Sequence, residues 1–167
     1  LNYHNITTND MLNGEGLRST LWVSGCDHYC VNCHNKETWD SNSGILFDRR
    51  AEKELFDSLR PDYISGLTIS GGDPLNKNNI LEVQRILMMF KLRFPNKTVW
   101  LYTGYRWEDV KLAPLFQYVD VLVDGKFEQD KYDINYPYAG STNQRVIDVQ
   151  KSLKENKVIL YKLKGVL

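Results

Sequence analysis

The amino-acid sequence predicts an α/β protein with a mostly parallel sheet, laid out as a partial, open βα barrel or a doubly wound sheet. Three observations carry this. Strand-like and helix-like segments alternate along the chain, as right-handed βαβ units require. The chain has 167 residues, enough for one domain with a real core but too few for a complete barrel of about 250 residues. The sharpest motifs, at Cys26, Gly71, Gly104 and Asp124, each stand just past an expected strand end, where folds of this class build their sites. A single domain over residues 1–167 is expected.

The elements follow in order. Tyr3 to Thr7 reads as an edge strand. Asn13-Gly14-Glu15-Gly16 is turn-rich, with glycine supplying unusual backbone angles. Arg18 to Ser24 is a strand that runs into the segment holding every cysteine. Asp48 is an N-cap for a helix to about Leu59, with Ala51, Leu55 and Leu59 along one face. Gly66 to Ser70 is a short buried strand ending at Gly71-Gly72-Asp73-Pro74. A helix spans about Lys77 to Phe94, because Ile80, Val83, Leu87, Phe90 and Phe94 step by three and four. Thr98 to Tyr102 is a strand. Glu108 to Phe116 is a short helix limited by Pro114. Val119 to Val123 is a strand, Glu128 to Gly140 is irregular, and Arg145 to Val149 and Lys157 to Leu163 are late strands. The segment after Val149 is expected to pair with the sheet or serve an interface.

Composition narrows the class. Hydrophobic residues are 42% and charged residues 25% of the chain, an ordinary globular balance. Lys plus Arg and Asp plus Glu are both 21, which argues against nucleic acid or a membrane surface as partner. No apolar run reaches the length of a membrane span and the N-terminus lacks a signal-peptide core, so a cytoplasmic protein is expected. Cysteines number three, an odd count at close spacing that suits metal ligation by reduced thiols rather than a disulfide framework.

Those cysteines form the pattern C-x3-C-x2-C in Cys26-Asp27-His28-Tyr29-Cys30-Val31-Asn32-Cys33. Thiolates are soft ligands that suit iron–sulfur clusters and zinc. Three is one short of the set that closes an iron–sulfur cube or a structural zinc site, and an open coordination position is what a catalytic centre needs. A zinc site completed by His28 or His34 is the alternative. Against it, His28 lies between the first two cysteines, where tetrahedral convergence is strained, and His34 adjoins Cys33. Taken alone, both histidines read as polar loop residues.

Ser70-Gly71-Gly72-Asp73-Pro74 reads by itself as a tight strand-to-helix turn. It also lets backbone approach a ligand closely, with the Asp73 carboxylate available to an ammonium group. Thr103-Gly104-Tyr105 and Asp124-Gly125-Lys126-Phe127 read as turns, and Gly140 to Arg145 as a solvated polar loop. Tyr132, Tyr136 and Tyr138 form a contact surface or a satellite core. No Walker A loop, G-x-S-x-G elbow or H-E-x-x-H helix is present, and no protein nucleophile is found.

The cysteine pattern followed by the Gly-Gly-Asp-Pro turn resembles the radical S-adenosylmethionine (SAM) superfamily. Asn13 to Arg18, Ser24-Gly25-Cys26, Cys33-His34-Asn35, Glu37-Thr38-Trp39, Val123 to Phe127 and Gly140 to Arg145 narrow the resemblance to the anaerobic ribonucleoside-triphosphate reductase-activating proteins. The resemblance implies a partial, open βα barrel of the radical SAM type. It implies that Cys26, Cys30 and Cys33 hold a [4Fe–4S] cluster whose fourth iron is chelated by SAM. It assigns Gly71, Gly72 and Asp73 to the amino group of SAM. The residue before the third cysteine is often aromatic in this superfamily and here is Asn32, which shifts the adenine contact to the backbone of Asn32, Cys33 and His34. The implied reaction is reductive cleavage of SAM to a 5′-deoxyadenosyl radical, which takes a hydrogen from a glycine of the partner reductase, with an external electron donor and no catalytic side chain. Asp124, Lys126 and the Gly140 to Arg145 run are candidates for partner or SAM contacts. Other small radical SAM enzymes, of the pyruvate formate-lyase-activating or deazaguanine-forming type, share part of this pattern, and a zinc-binding interaction module is the reading from a different class.

Overall fold

The computed structural model describes residues 1–164; residues 165–167, the end of the segment expected to pair with the sheet or serve an interface, lie outside the described residues. The strands are β1 (Asn2–Asp10), β2 (Leu17–Val23), β3 (Ile45–Leu46), β4 (Ile64–Gly71), β5 (Thr98–Tyr102), β6 (Val121–Asp124) and β7 (Arg145–Asp148). The helices are α1 (Arg49–Ser58), α2 (Ile80–Arg93), α3 (Trp107–Val110) and α4 (Val149–Glu155). One sheet takes the order β3-β1-β2-β4-β5-β6-β7. β2, β4, β5 and β6 run parallel, while β1 is antiparallel to β2 and β3, and β7 to β6. The outer strands β3 and β7 do not meet, so the sheet is open. This is the mixed α/β, mostly parallel, unclosed architecture that the alternation of strand and helix signals predicts.

Side chains alternate across the sheet with a period of two. Leu21, Val23, Leu67, Ile69, Val99, Leu101, Leu122 and Ile147 enter the main core, with Leu55 of α1 and Val83, Ile86, Leu87 and Phe90 of α2. The intervening positions carry Thr20, Trp22, Thr68, Ser70, Trp100 and Tyr102, a polar and aromatic face. Arg18 anchors that face. Its fully buried guanidinium donates to Thr68 Oγ1, to Thr98 Oγ1 and to the carbonyls of Glu15, Leu67 and Thr98, at 2.8–3.0 Å. Burial pulls its pKa down to about 10.

The capped helix forms as expected: the Asp48 carboxylate accepts the Ala51 N–H at 3.0 Å, and Ala51, Leu55 and Leu59 are buried. α2 keeps its apolar face but starts at Ile80 rather than Lys77. The Asn76 side chain accepts the Asn78 N–H at 3.0 Å, which holds the preceding residues in a turn.

The early strand Tyr3 to Thr7 lies at the edge over most of its length, because the two-residue β3 pairs only with Asn2 and Tyr3 on its outer side. Three other expectations are corrected. The Glu108–Phe116 helix is divided: α3 ends at Val110, and Pro114 starts a separate 3-10 turn, Pro114–Tyr118, as proline at a helix start favours. The strand expected from Val119 begins at Val121. The strand expected to reach Val149 stops at Asp148, whose carboxylate accepts the Lys151 N–H at 3.1 Å and caps α4; Asn156, in the left-handed region at φ 54°, ends that helix.

Lys157 to Leu163 is a strap rather than a strand. It touches β7 through a single antiparallel bridge, Leu160 to Ile147, flanked by N–H donation from Tyr161 to Val146 O at 2.8 Å and from Asp148 to Ile159 O at 2.9 Å. The Tyr161 ring packs edge-on against Trp100 at 5.6 Å, and its hydroxyl donates to Glu15 at 2.6 Å. Among the described residues no helix is long and apolar enough to cross a membrane.

Candidate functional site

A cleft of about 790 Å³ opens where β2, β4, β5 and β6 end. One wall is the cysteine loop. Gly25 takes φ 108° as the chain leaves β2, and its N–H donates to Thr38 O at 2.6 Å, followed by Cys26 N–H to Trp39 O at 3.0 Å. Tyr29 and Asn32 then adopt left-handed backbone, at φ 51° and 57°. This coiling places Cys26, Cys30 and Cys33 on one cleft. The Asn35 N–H donates to Cys33 Sγ at 3.4 Å. Burial pushes the Cys26 thiol up to about 11 and raises that of Cys30, and the backbone N–H groups of His28 and Phe127, respectively, oppose the rise. Buried thiols beside N–H donors are suited to a ligand that displaces their protons. Among the described residues, no three Cys, His, Asp or Glu side chains gather around a point that could hold a lone ion.

The second wall is the glycine turn. Gly72 N–H donates to Val23 O at 2.8 Å and Asp73 N–H to Gly25 O at 2.7 Å, so the turn is laced to the entrance of the cysteine loop. A Cβ on Gly71 would stand 2.5 Å from Val23 N and O; one on Gly72 would stand 2.6 Å from Gly25 O and 2.9 Å from Thr38 O. Both positions require glycine because backbone approaches backbone there.

Asp73 is the centre of a buried network. Its carboxylate accepts the Leu75 N–H (2.9 Å), the Thr103 hydroxyl (2.9 and 3.0 Å), the Gly104 N–H (2.9 Å) and His28 Nε2 (2.6 Å). The side chain anticipated to face an ammonium group thus has its acceptor capacity engaged by its own chain, while Gly71 and Gly72 also line the cleft. His28, read from sequence as a polar loop residue, is instead packed inside, its ring edge-on to Tyr105 at 4.6 Å. A Cβ on Gly104 would collide with that ring at 2.5 Å. The sequence offered only a histidine between cysteines; its partner lies one βα unit away.

The third wall is the stretch from Phe127 to Gln144, which lines the cleft with Tyr132, Tyr136 and Tyr138. The polar run Gly140 to Arg145, expected to be solvated, fastens this wall. Gln144 Oε1 accepts the N–H groups of Gly140 and Ser141 at 2.8 and 3.0 Å, and its Nε2 donates to Gly125 O at 3.0 Å. Asn143 donates to Lys126 O at 2.8 Å. Arg145 bridges Asp124 (2.6 Å) and Glu108 (2.8 Å), and Asp124 also accepts the Trp107 N–H at 2.8 Å. These partners, not a ligand, occupy Asp124. His34 meets the wall through Phe127, ring to ring at 5.1 Å. Cys33 and His34 line the cleft; Asn32 is exposed and is not among its lining residues.

The geometry therefore gives a cleft with three thiols on one wall, a closely packed glycine turn beside them and an aromatic wall opposite. Residues 12–147 match the family described as a 4Fe-4S single cluster domain, so the chain is a member of the iron–sulfur domain class that this site suggests. Among curated relatives, the anaerobic ribonucleoside-triphosphate reductase-activating protein of Enterobacteria phage T4 is 43% identical over 150 residues, 87% of this chain and 93% of the relative. The proteins of the same name from Pasteurella multocida and Escherichia coli K12 are 41% and 39% identical, over 86% and 87% of this chain and 95% and 97% of their own lengths. The chain belongs to the family of anaerobic ribonucleoside-triphosphate reductase-activating proteins.

Proposed function

We propose that this protein activates an anaerobic ribonucleoside-triphosphate reductase as a radical SAM enzyme, within a partial βα barrel of that type. The observation that carries the reading is the placement of Cys26, Cys30 and Cys33 on one cleft beside the Gly71-Gly72 turn. In this reading Cys26, Cys30 and Cys33 would hold a [4Fe–4S] cluster, and the cleft beside them would take SAM. When bound, this pair supplies an electron transfer and radical chemistry that removes hydrogen from a glycine of the reductase.

The chain's own residues bind, orient and enclose. The thiols would give up protons on loading, and the N–H groups of His28 and Phe127 favour the thiolate form of Cys26 and Cys30. Gly71 and Gly72 keep the turn low enough for the SAM methionine moiety to lie over backbone. Backbone at Cys33 and His34, which line the cleft, would contact the adenine. Asp73 holds the turn to His28 rather than meeting the cofactor itself. The aromatic wall from Phe127 to Tyr138 excludes water and leaves an opening for a glycine-bearing segment of the reductase. The electron comes from an external donor, and no side chain serves as acid, base or nucleophile.

The test is anaerobic reconstitution with iron and sulfide, followed by incubation with SAM, a reductant and the reductase. A glycyl radical signal in electron paramagnetic resonance is expected. SAM cleavage with no such signal would remove the reductase assignment, and purification with zinc but without iron or sulfide would remove the radical SAM reading.

A further inference from the structure

The polar face of the sheet contains one group that the network above does not use. Tyr102, the last residue of β5, lines the cleft with Trp22 and Ser70. Trp22 pairs with Ser70 across β2 and β4; Ser70 and Tyr102 follow the paired Ile69 and Leu101; Tyr102 pairs with Val123. These side chains thus form one transverse row on the floor of the cleft. Trp22 Nε1 donates to Thr7 at 2.8 Å. The Tyr102 hydroxyl is buried and has no hydrogen-bond partner among the described residues. Desolvation raises its pKa far above the ordinary phenol value, so it is a proton donor at every physiological pH. A buried donor without a protein partner is uncommon and costly, and this one borders the space where a ligand would sit.

We propose that the Tyr102 hydroxyl is a ligand-binding group, donating a hydrogen bond to an acceptor oxygen on the molecule that fills the cleft. The inference rests on the proposed function, under which two molecules bring such an oxygen: SAM, through its carboxylate or ribose, and the glycine-bearing segment of the reductase, through a peptide carbonyl. The shared chemistry is an uncharged donor meeting an oxygen acceptor in a desolvated floor. Among the described residues the hydroxyl makes no hydrogen bond to the fold, which leaves it free to meet a ligand.

The test is Tyr102→Phe, which removes the hydroxyl and keeps the ring. Without ligand, the variant is expected to melt at the wild-type temperature or above it, because an unpaired buried donor is lost. The reconstituted variant is then titrated with SAM in one arm and with the intact reductase in the other. A roughly tenfold weaker affinity is expected in one arm, the loss of one hydrogen bond. Weakening in the SAM arm assigns the donor to the cofactor, and weakening in the reductase arm assigns it to the inserted segment; either supports the proposal. Unchanged affinity in both arms overturns it. So does a ligand-free variant less stable than wild type, which would show that the hydroxyl has a structural partner such as a buried water. If the wild type itself binds neither probe, the proposed function fails first and takes this role with it; the wild-type titrations separate that failure from a failure of Tyr102 alone.

Discussion

His28 Nε2 lies 2.6 Å from Asp73 Oδ2, with the two side chains only 8% and 2% exposed. This contact joins the loop that carries the cysteines to the turn that carries the glycines. An ionised carboxylate only accepts, so the imidazole tautomer with hydrogen on Nε2 fits here. Asp73 therefore works for the architecture before any cofactor arrives.

The first prediction follows. Asp73→Ala strands the Thr103 hydroxyl, the Gly104 and Leu75 N–H groups and the His28 ring in a buried place. The expected loss is about 3 kcal/mol or more, or roughly 6–12 °C in melting temperature, in protein free of iron and SAM. Thermal denaturation of the metal-free protein checks this. An unchanged melting temperature would mean that Asp73 serves only a ligand.

Gly72→Ala tests the lacing of the turn. Its Cβ would press on the backbone carbonyls of Gly25 and Thr38 at 2.6 and 2.9 Å, atoms that move only if the cysteine loop moves. A destabilisation of about 1–3 kcal/mol is expected, together with lower iron content after reconstitution. Normal stability and full loading would show that the turn and loop are less tightly joined than these distances imply.

Replacing Cys26, Cys30 or Cys33 singly by Ala should cut iron and sulfide content by more than roughly tenfold while leaving metal-free stability near wild type. Elemental analysis with visible absorption after anaerobic reconstitution measures both. Retained cluster in Cys30→Ala would remove that residue from the ligand set.

Glu108→Gln gives a pH signature. Arg145 holds the Glu108 carboxyl down to about 2 from an ordinary 4.5. A depressed acid stabilises the folded state above its unfolded pKa, and the benefit fades as pH falls through the folded one. Wild type should therefore exceed Glu108→Gln in stability at pH 6, and the gap should shrink between pH 4.5 and 2. Because Glu108 is 46% exposed, screening limits the gap to at most about 1 kcal/mol. Urea denaturation across that range reads it; a gap that widens toward acid would contradict the pairing.

Local signals were legible in the chain and distant partnerships were not. α1 can be read from its Asp48 cap and its spacing of Ala51, Leu55 and Leu59, because both act within a few residues. β5 can be read for the same reason. The thiols and the glycine turn are each contiguous, so the candidate site is visible as motifs. The error over α4 came from competing local signals: Val146, Ile147 and Val149 favour a strand, and Asp148 caps a helix in their midst. The short β3 that covers Asn2 and Tyr3 was not legible, because its exposed Ile45 and Leu46 carry no strand pattern. The roles of His28, Gln144 and Arg145 depend on Asp73, Gly125 and Asp124, which the sheet brings near after the chain has travelled far. Spacing along the sequence holds no record of those meetings.

The N–H of Phe127 beside the sulfur of Cys30 has a temporal consequence. During synthesis the N-terminal part of a chain emerges first, at about 5–20 residues per second. The cysteines are thus outside the ribosome seconds before Phe127, and longer before Arg145 clips its wall to β6. A nascent chain displays the thiols without their full surroundings. The full surroundings of Cys30 thus exist only once a wall that contains no cysteine has been made.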